Sequence, residues 1–331
     1  MLKNNSCEST AKDNKFLNNP ITNFFKDNLG ILLALFFMCL ILTITTDSFF
    51  DGKNILTVLR QICINSLLAY GMTFVLIIGG IDLTVGSVVG ASGVVCVMLM
   101  ESGIGMIPAI VITLLFGAII GCINGTIIAT TGMPAFIVTL SMMGVVRGLA
   151  YIITDGRSIS SKDSLFTSIG NGYTLGIPNP VYILIAVMVI ISIILYKTKF
   201  GRRMYAIGGN PTAAKFTGIN LKSITIKVYI ISAVLASLAG MILASRMFSG
   251  QPTAGQGYES DAIAAAVLGG TSFTGGIGTI GGTFIGALVI GVLSNGLNLL
   301  HIPSYVQMVI KGFVIIFAVG FDIVKNRSTS K

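Results

Sequence analysis

The residues able to do chemistry in this chain are few and far apart. The single histidine, His301, has no cysteine or second histidine beside it to complete a metal set. The five cysteines, Cys7, Cys39, Cys63, Cys96 and Cys122, show no CxxC spacing. Four of them lie in apolar stretches, where they read as small buried hydrophobes rather than metal ligands or disulfide partners. No G-x-x-x-x-G-K-[ST], H-E-x-x-H or G-x-S-x-G occurs. The sequence therefore offers no phosphate loop, zinc-protease helix or nucleophile elbow, and covalent chemistry, a metal and a bound cofactor are not expected. What remains are charges and amides set in apolar sequence, where they are costly and tend to serve function. Asp82 falls in Gly79-Gly80-Ile81-Asp82-Leu83-Thr84-Val85-Gly86-Ser87, and Arg147 lies in an apolar run ahead of Tyr151, Asp155 and Arg157. Asn124, Asn295 and Asn298 punctuate two further runs. Asp82, Asn124, Arg147, Asp155, Asn295 and Asn298 are thus candidates to line a path for a hydroxylated solute. Each also has a plainer reading. Asp82 would cap a helix after a turn, Arg147 would snorkel to the interface, and the asparagines would tie helices together.

A second constellation is basic and polar. Residues 197–224 hold Lys197, Lys199, Arg202, Arg203, Lys215 and Lys222 with no Asp or Glu. Within that stretch Gly201, Arg202, Arg203, Tyr205, Gly208, Gly209 and Asn210 are followed by Ala213, Ala214 and Gly218. Asn210-Pro211 has the chemistry of a helix start, Asn as cap and Pro in the first turn. A loop this long with its own helix-forming core is more than a connector. A short amphipathic helix held at a membrane surface suits the docking of a partner.

The elements that position these groups follow from composition. Charged residues make up 10% of the 331 and hydrophobic ones 53%, with a mean hydropathy of +0.90. A soluble chain carries about 25% charged residues, so there are too few here to cover a water-facing surface. The 40 glycines fit close helix approach in a bilayer. The net charge of +9 gathers at segment ends, which suits cytoplasmic loops and anionic headgroups rather than nucleic acid. The chain reads as an all-α, polytopic integral membrane protein. A crossing needs about 20 apolar residues, which places spans at 28–46, 61–81, 83–100, 106–129, 133–153, 180–196 and 225–245. A polar loop lies at 154–179, the run 262–310 is long enough for two crossings, and the last span covers about 305–323. The run 28–46 lacks a small-x-small cleavage site, so it reads as an uncleaved helix behind a cytoplasmic tail, 1–27. The basic 197–224 loop and the end at 325–331 are also cytoplasmic by the positive-inside rule. Those constraints require an even count, about ten, with the Gly-rich 262–279 crossing as a short or broken helix in one domain, 28–324. Asn124-Gly125 with Arg147-Gly148, and Asn295-Gly296 with Lys311-Gly312, suggest a repeat in which spans two to five match seven to ten. Gly79-Gly80 likewise resembles Gly269-Gly270. An offset of five crossings would make the repeat inverted.

Five stretches together carry a family likeness: GMTFVLIIGGIDLTVGS, GMPAFIVTLSMMGVVRGLAYIITDGR, TKFGRRMYAIGGNPTAAKFTGI, SGQPTAGQGYESDAIAAAVLGGTSFTGG and SNGLNLL. These stretches fall between Gly71 and Leu300, and the likeness extends from about residue 55 to 322. The chain resembles the permeases of ribose-, xylose- and galactose-type ABC importers, with the ribose members nearest through Asn171–Pro178. The resemblance implies a homodimer of permeases, a separate cytoplasmic ATPase and an extracytoplasmic sugar-binding protein in a bacterial cytoplasmic membrane. It also implies that Gly201–Gly218 is the coupling loop on which the ATPase pushes. One departure is visible: Ser260 stands where the family usually has Leu in Glu-Leu-Asp-Ala-Ile-Ala. Rival readings are an ABC permease for nucleosides or branched-chain amino acids, and an ion-coupled secondary transporter. The last predicts acidic residues deep in the spans.

Overall fold

A computed structural model describes residues 28–329; the expected tail at 1–27 lies outside the described residues. The described residues are helical almost throughout. Helices α1 (Leu29–Thr45), α2 (Gly52–Ile77), α3 (Val85–Glu101), α4 (Met106–Thr131) and α5 (Ala135–Thr154) follow one another through short turns. After the small helix α6 (Ser164–Asn171) come α7 (Asn179–Lys197), α8 (Lys199–Gly209), α9 (Pro211–Phe216) and α10 (Leu221–Met247). The chain then forms α11 (Tyr258–Leu268), α12 (Ile280–Leu299) and α13 (Ser304–Thr329). Among the described residues, six helices, α2, α4, α5, α7, α10 and α12, are long and apolar enough to cross a membrane. α1, α3 and the Ser304–Phe317 part of α13 are shorter apolar helices.

Burial sorts these helices by role. Every residue of α2 from Ile62 to Ile77 is buried, as is most of α10 from Ser232 to Ser245. They form the axis of the bundle, with Tyr70, Phe74 and Tyr229 among its largest enclosed side chains. α4, α5 and α7 instead expose Ile107, Leu115, Ile119, Phe136, Leu140, Ile185 and Val189. Such a surface would be untenable in water and is ordinary in lipid. Close approach around the axis depends on glycine. A Cβ on Gly121 of α4 would lie 2.3 Å from the Tyr229 carbonyl oxygen, and one on Gly240 of α10 the same distance from that of Val89.

The pattern of helix contacts maps onto itself when α2, α3, α4 and α5 are exchanged for α10, α11, α12 and α13. α10 packs on α3 and α4 as α2 packs on α11 and α12. α3 touches α4 and α5 as α11 touches α12 and α13, while α2 and α10 lie against each other. These are the units expected of the repeat, and Asn124 of α4 and Asn295 of α12 fall on corresponding helices. The Gly79-Gly80 and Gly269-Gly270 match does not belong to it, since the first pair follows α2 and the second follows α11.

Boundaries differ from the apolar runs at three places. The second span begins at Gly52 rather than 61, because Lys53 and Arg60 sit on the helix and not ahead of it. The stretch 262–279, expected to cross, is not one helix: α11 has 11 residues, about 16 Å against a hydrocarbon core of roughly 30 Å. Its Gly-rich continuation holds Thr271 and Ser272 almost fully buried, as non-helical backbone at membrane depth requires. Finally, 154–179 is a built cap rather than a simple polar loop. α6 buries Phe166 completely, Asp163 caps it by accepting from the Leu165 and Phe166 amides, and the Ser245 hydroxyl donates to the Phe166 carbonyl at 2.6 Å. Two-residue ladders, Ile159–Ser160 with Ser249–Gly250 and Tyr173–Thr174 with Ile177–Pro178, complete the cap.

Candidate functional site: the surface helix pair and the broken crossings

The 197–224 stretch folds as a helical hairpin on the end of the bundle. Thr198 ends α7 and starts α8, its hydroxyl accepting from the Gly201 amide at 3.3 Å. α8 turns Gly201, Met204 and Ile207 inward and leaves Arg202 and Arg203 exposed. Asn210 caps α9 by accepting from the Ala213 amide at 2.9 Å, with Pro211 in its first turn. Ala214 is buried, Ala213 and Gly209 are exposed, and Gly218, at φ 80°, lets the chain leave α9 in the left-handed conformation. Phe216 ends the pair with 87% of its surface exposed.

This pair is fastened to the parts of the bundle that are not helical. Gly208 packs backbone to backbone: a Cβ there would fall 1.8 Å from the Ile77 carbonyl oxygen and 2.3 Å from the Gly276 nitrogen. The Gly276 amide itself donates to the Ile77 carbonyl at 2.8 Å. Tyr205 donates its hydroxyl to the Gly278 carbonyl at 2.6 Å. Burial pushes the Tyr205 phenol above its ordinary range, so it keeps the proton it donates. Tyr196, at the end of α7, accepts from the Ile280 amide at 2.9 Å. The last turn of α2 and the glycine-rich stretch after α11 are therefore gripped by α8, and the first residue of α12 by the end of α7. α8 is thus in direct backbone contact with the stretch that follows α11.

The other candidates gather where helices are interrupted. Asp82 is fully buried. Its Oδ1 accepts from the Thr84 amide at 3.0 Å and from the Thr84 hydroxyl, and its Oδ2 accepts from Ser232 Oγ at 2.8 Å, halfway along α10. Asn124 donates to the same Thr84 hydroxyl oxygen at 3.1 Å. The unwound segment 78–84 is thereby stitched into the middle of the bundle and not left at a surface turn. Arg147 reaches from α5 to the carbonyls of Pro252 (2.5 Å), Ala254 (2.6 Å) and Gly86 (3.0 Å). It joins the first turn of α3 to the segment leading into α11. Asp155 is exposed at the end of α5 with φ 48°, away from the Arg147 guanidinium's partners. Asn295 and Asn54 exchange two hydrogen bonds of 2.8 and 3.1 Å between α12 and α2. Asn298, exposed, accepts from Gln307 at 2.9 Å.

Three groups that residue reading passed over complete the picture. Lys311 of α13 forms an ion pair with Asp261 of α11 at 2.7 Å, and Gln307 lies one turn before it. Lys311 stands on the helix corresponding to that of Arg147, as the match of Arg147-Gly148 with Lys311-Gly312 implied, but its partner Asp261 was not foreseen. No group of three or more His, Cys, Asp or Glu able to hold a metal occurs among the described residues.

A bundle of long apolar helices with interrupted segments and a fastened surface hairpin is the architecture of a polytopic membrane protein. More specifically, residues 54–319 match the family of branched-chain amino acid transport system permease components, and the chain belongs to that family. It is 47% identical to the ribose import permease of Bacillus subtilis (strain 168) over 89% of this chain and 92% of that one. Identity to the ribose import permease of Haemophilus influenzae is 46%, covering 88% and 91%. To the L-arabinose transport system permease of Escherichia coli K12 it is 37%, covering 91% and 92%. No solved structure matches the chain significantly.

Proposed function

We propose that this chain is the membrane-spanning subunit of an ATP-driven importer that carries a monosaccharide, with ribose as cargo, into a bacterial cell. The observation that carries the reading is the fastening of α8, through Tyr205 and Gly208, to Ile77, Gly276 and Gly278. A transporter without its own nucleotide site needs such a handle, because the work must arrive from outside the chain. A separate ATPase engages α8 and α9 from the cytoplasm, an extracytoplasmic binding protein delivers the sugar to the capped face, and two copies of the chain flank the path. Both ends lie in the cytoplasm. Closure of the ATPase dimer moves the helix pair, and the glycine-rich stretch converts that movement into a rearrangement of α11 against α2 and α12. The family's description names amino acids, but the strong likeness to ribose permeases, and the weaker one to an arabinose permease, favours a sugar.

The test is uptake of labelled ribose into proteoliposomes, with the ATPase, the binding protein and internal ATP each omitted in turn. Uptake that needs every component, and that unlabelled ribose but not leucine or a nucleoside suppresses, is expected. Uptake by the chain alone under an ion gradient would overturn the reading, and ATP-dependent uptake of leucine would overturn the cargo.

A further inference from the structure

An exposed side of α13 carries polar groups beside an apolar stripe. Tyr305, Met308, Val309, Phe313, Ile316 and Phe317 expose apolar surface there. Beside them, between α13 and the first turn of α11, lies a cavity of about 440 Å³ lined by Tyr258, Ser260, Asp261, Ser304, Gln307 and Lys311 among others. That volume falls within the roughly 300–1,000 Å³ of small-molecule sites. Only 7% of the Asp261 side chain and 24% of that of Lys311 is exposed, and the two are joined at 2.7 Å. The pair is neutral as a unit. It leaves one carboxylate oxygen to accept and two ammonium hydrogens to donate. Gln307 is held by hydrogen bonds from its amide nitrogen to Asn298 Oδ1 (2.9 Å) and to the Ile302 carbonyl (2.8 Å). Its amide oxygen has no hydrogen bond within the described chain.

From these features we infer that the cavity between α11 and α13 is a resting site for the transported monosaccharide, with Gln307 and the Asp261–Lys311 pair bonding its hydroxyls. This rests on the permease reading above and adds a place and a chemistry to it. The lining favours a neutral polyol. A carboxylate ligand would meet Asp261 already occupying Lys311, and an ammonium ligand would compete with Lys311 for Asp261, so a free amino acid gains little on either charge. Ser260 and Ser304 add hydroxyls that both donate and accept, and Tyr258 offers a ring against which a sugar's C–H face can pack. The cavity runs along α13 from Ser304 to Ile315, about 16 Å of helix or half the hydrocarbon core. It also abuts α11, whose far end is the stretch gripped by α8. Movement of the surface pair therefore bears on one wall of the site.

The experiment uses the assembled transporter in proteoliposomes and two variants. If the complete wild-type system moves no ribose, the permease reading fails, and it does so independently of the cavity. If it does move ribose, Gln307→Ala is expected to lower uptake about tenfold at matched protein levels, the scale of one or two lost hydrogen bonds. Ser260→Cys is expected to react with a polar methanethiosulfonate reagent beyond the background of the parent chain, and ribose at millimolar concentration to slow that reaction several-fold where leucine does not. Wild-type uptake by Gln307→Ala, or labelling of Ser260→Cys that ribose leaves unchanged, would overturn the site. Should Gln307→Ala fail to reach the membrane, the labelling decides alone.

Discussion

At the scale of single residues, Gly208 and Gly209 look alike in the sequence and differ completely in the folded chain. Gly208 has no space for a Cβ, the nearest atoms being backbone of Ile77 and Gly276. Gly209 has nothing within 4 Å of where a Cβ would stand. Forcing a methyl group into a backbone contact costs about 1–3 kcal/mol and must separate α8 from the stretch it grips. Gly208→Ala is thus expected to reduce ATP-driven ribose uptake about tenfold or more, while Gly209→Ala stays within about twofold. Equal effects of the two substitutions, measured side by side at matched protein levels, would remove the backbone contact from the coupling route. Phe216 shows the opposite situation. It is a large apolar side chain at the solvent-facing end of the helix pair, 87% exposed, and nothing in its local sequence set it apart from a buried residue.

Among the elements, the interrupted crossings carry the most polar organisation, and Arg147 is their central tie. One guanidinium satisfies three backbone carbonyls belonging to two segments. Its planar fork of donors suits that task, and an ammonium on a flexible stem does not. Arg147→Met leaves the Pro252, Ala254 and Gly86 carbonyls without this partner, a loss on the order of 2–3 kcal/mol. Detergent-solubilised Arg147→Met protein is expected to unfold at a lower temperature than wild type, with Arg147→Lys between them. Identical thermal midpoints for all three would show that the segment before α11 is held by packing alone. The sequence marked Arg147 as a charge near a span interior. It did not reveal the partners, because backbone carbonyls leave no trace in residue identity.

For the molecule as a whole, the orientation of the ends is the point at which the short helix α11 matters. If α11 and its flanking backbone cross, the described helices make ten passes and both ends lie on the same side. If they do not, the ends lie on opposite sides. Green fluorescent protein fused after residue 331 is expected to fluoresce and alkaline phosphatase at the same point to be inactive. Phosphatase inserted at the exposed hairpin turn Leu175-Gly176 is expected to be active. The reverse result at residue 331, with activity kept at the hairpin, would mean that α11 returns to the face it came from. The self-matching contacts of α2–α5 and α10–α13 argue for the crossing, since α3, the counterpart of α11, is a helix of 17 residues between two full spans.

The sequence by itself determined the solvent, the places of the apolar helices and the surface position of the basic stretch. Those follow from the spacing of charges along the chain, and a bilayer excludes charge wherever it falls. It also foresaw the start of α9, since Asn210-Pro211 acts through its own neighbouring amides. Only the tertiary structure decided which candidates belong together. Asp82 meets Ser232 across 150 residues of sequence and Lys311 meets Asp261 across 50. Asn124 and Asn295 are taken up as helix ties. Such pairings depend on how helices of nearly uniform apolarity rotate about their own axes. Here that rotation is set by glycines at close approaches and by interlocking of side chains, neither of which has a periodic signature when every face of a helix is apolar.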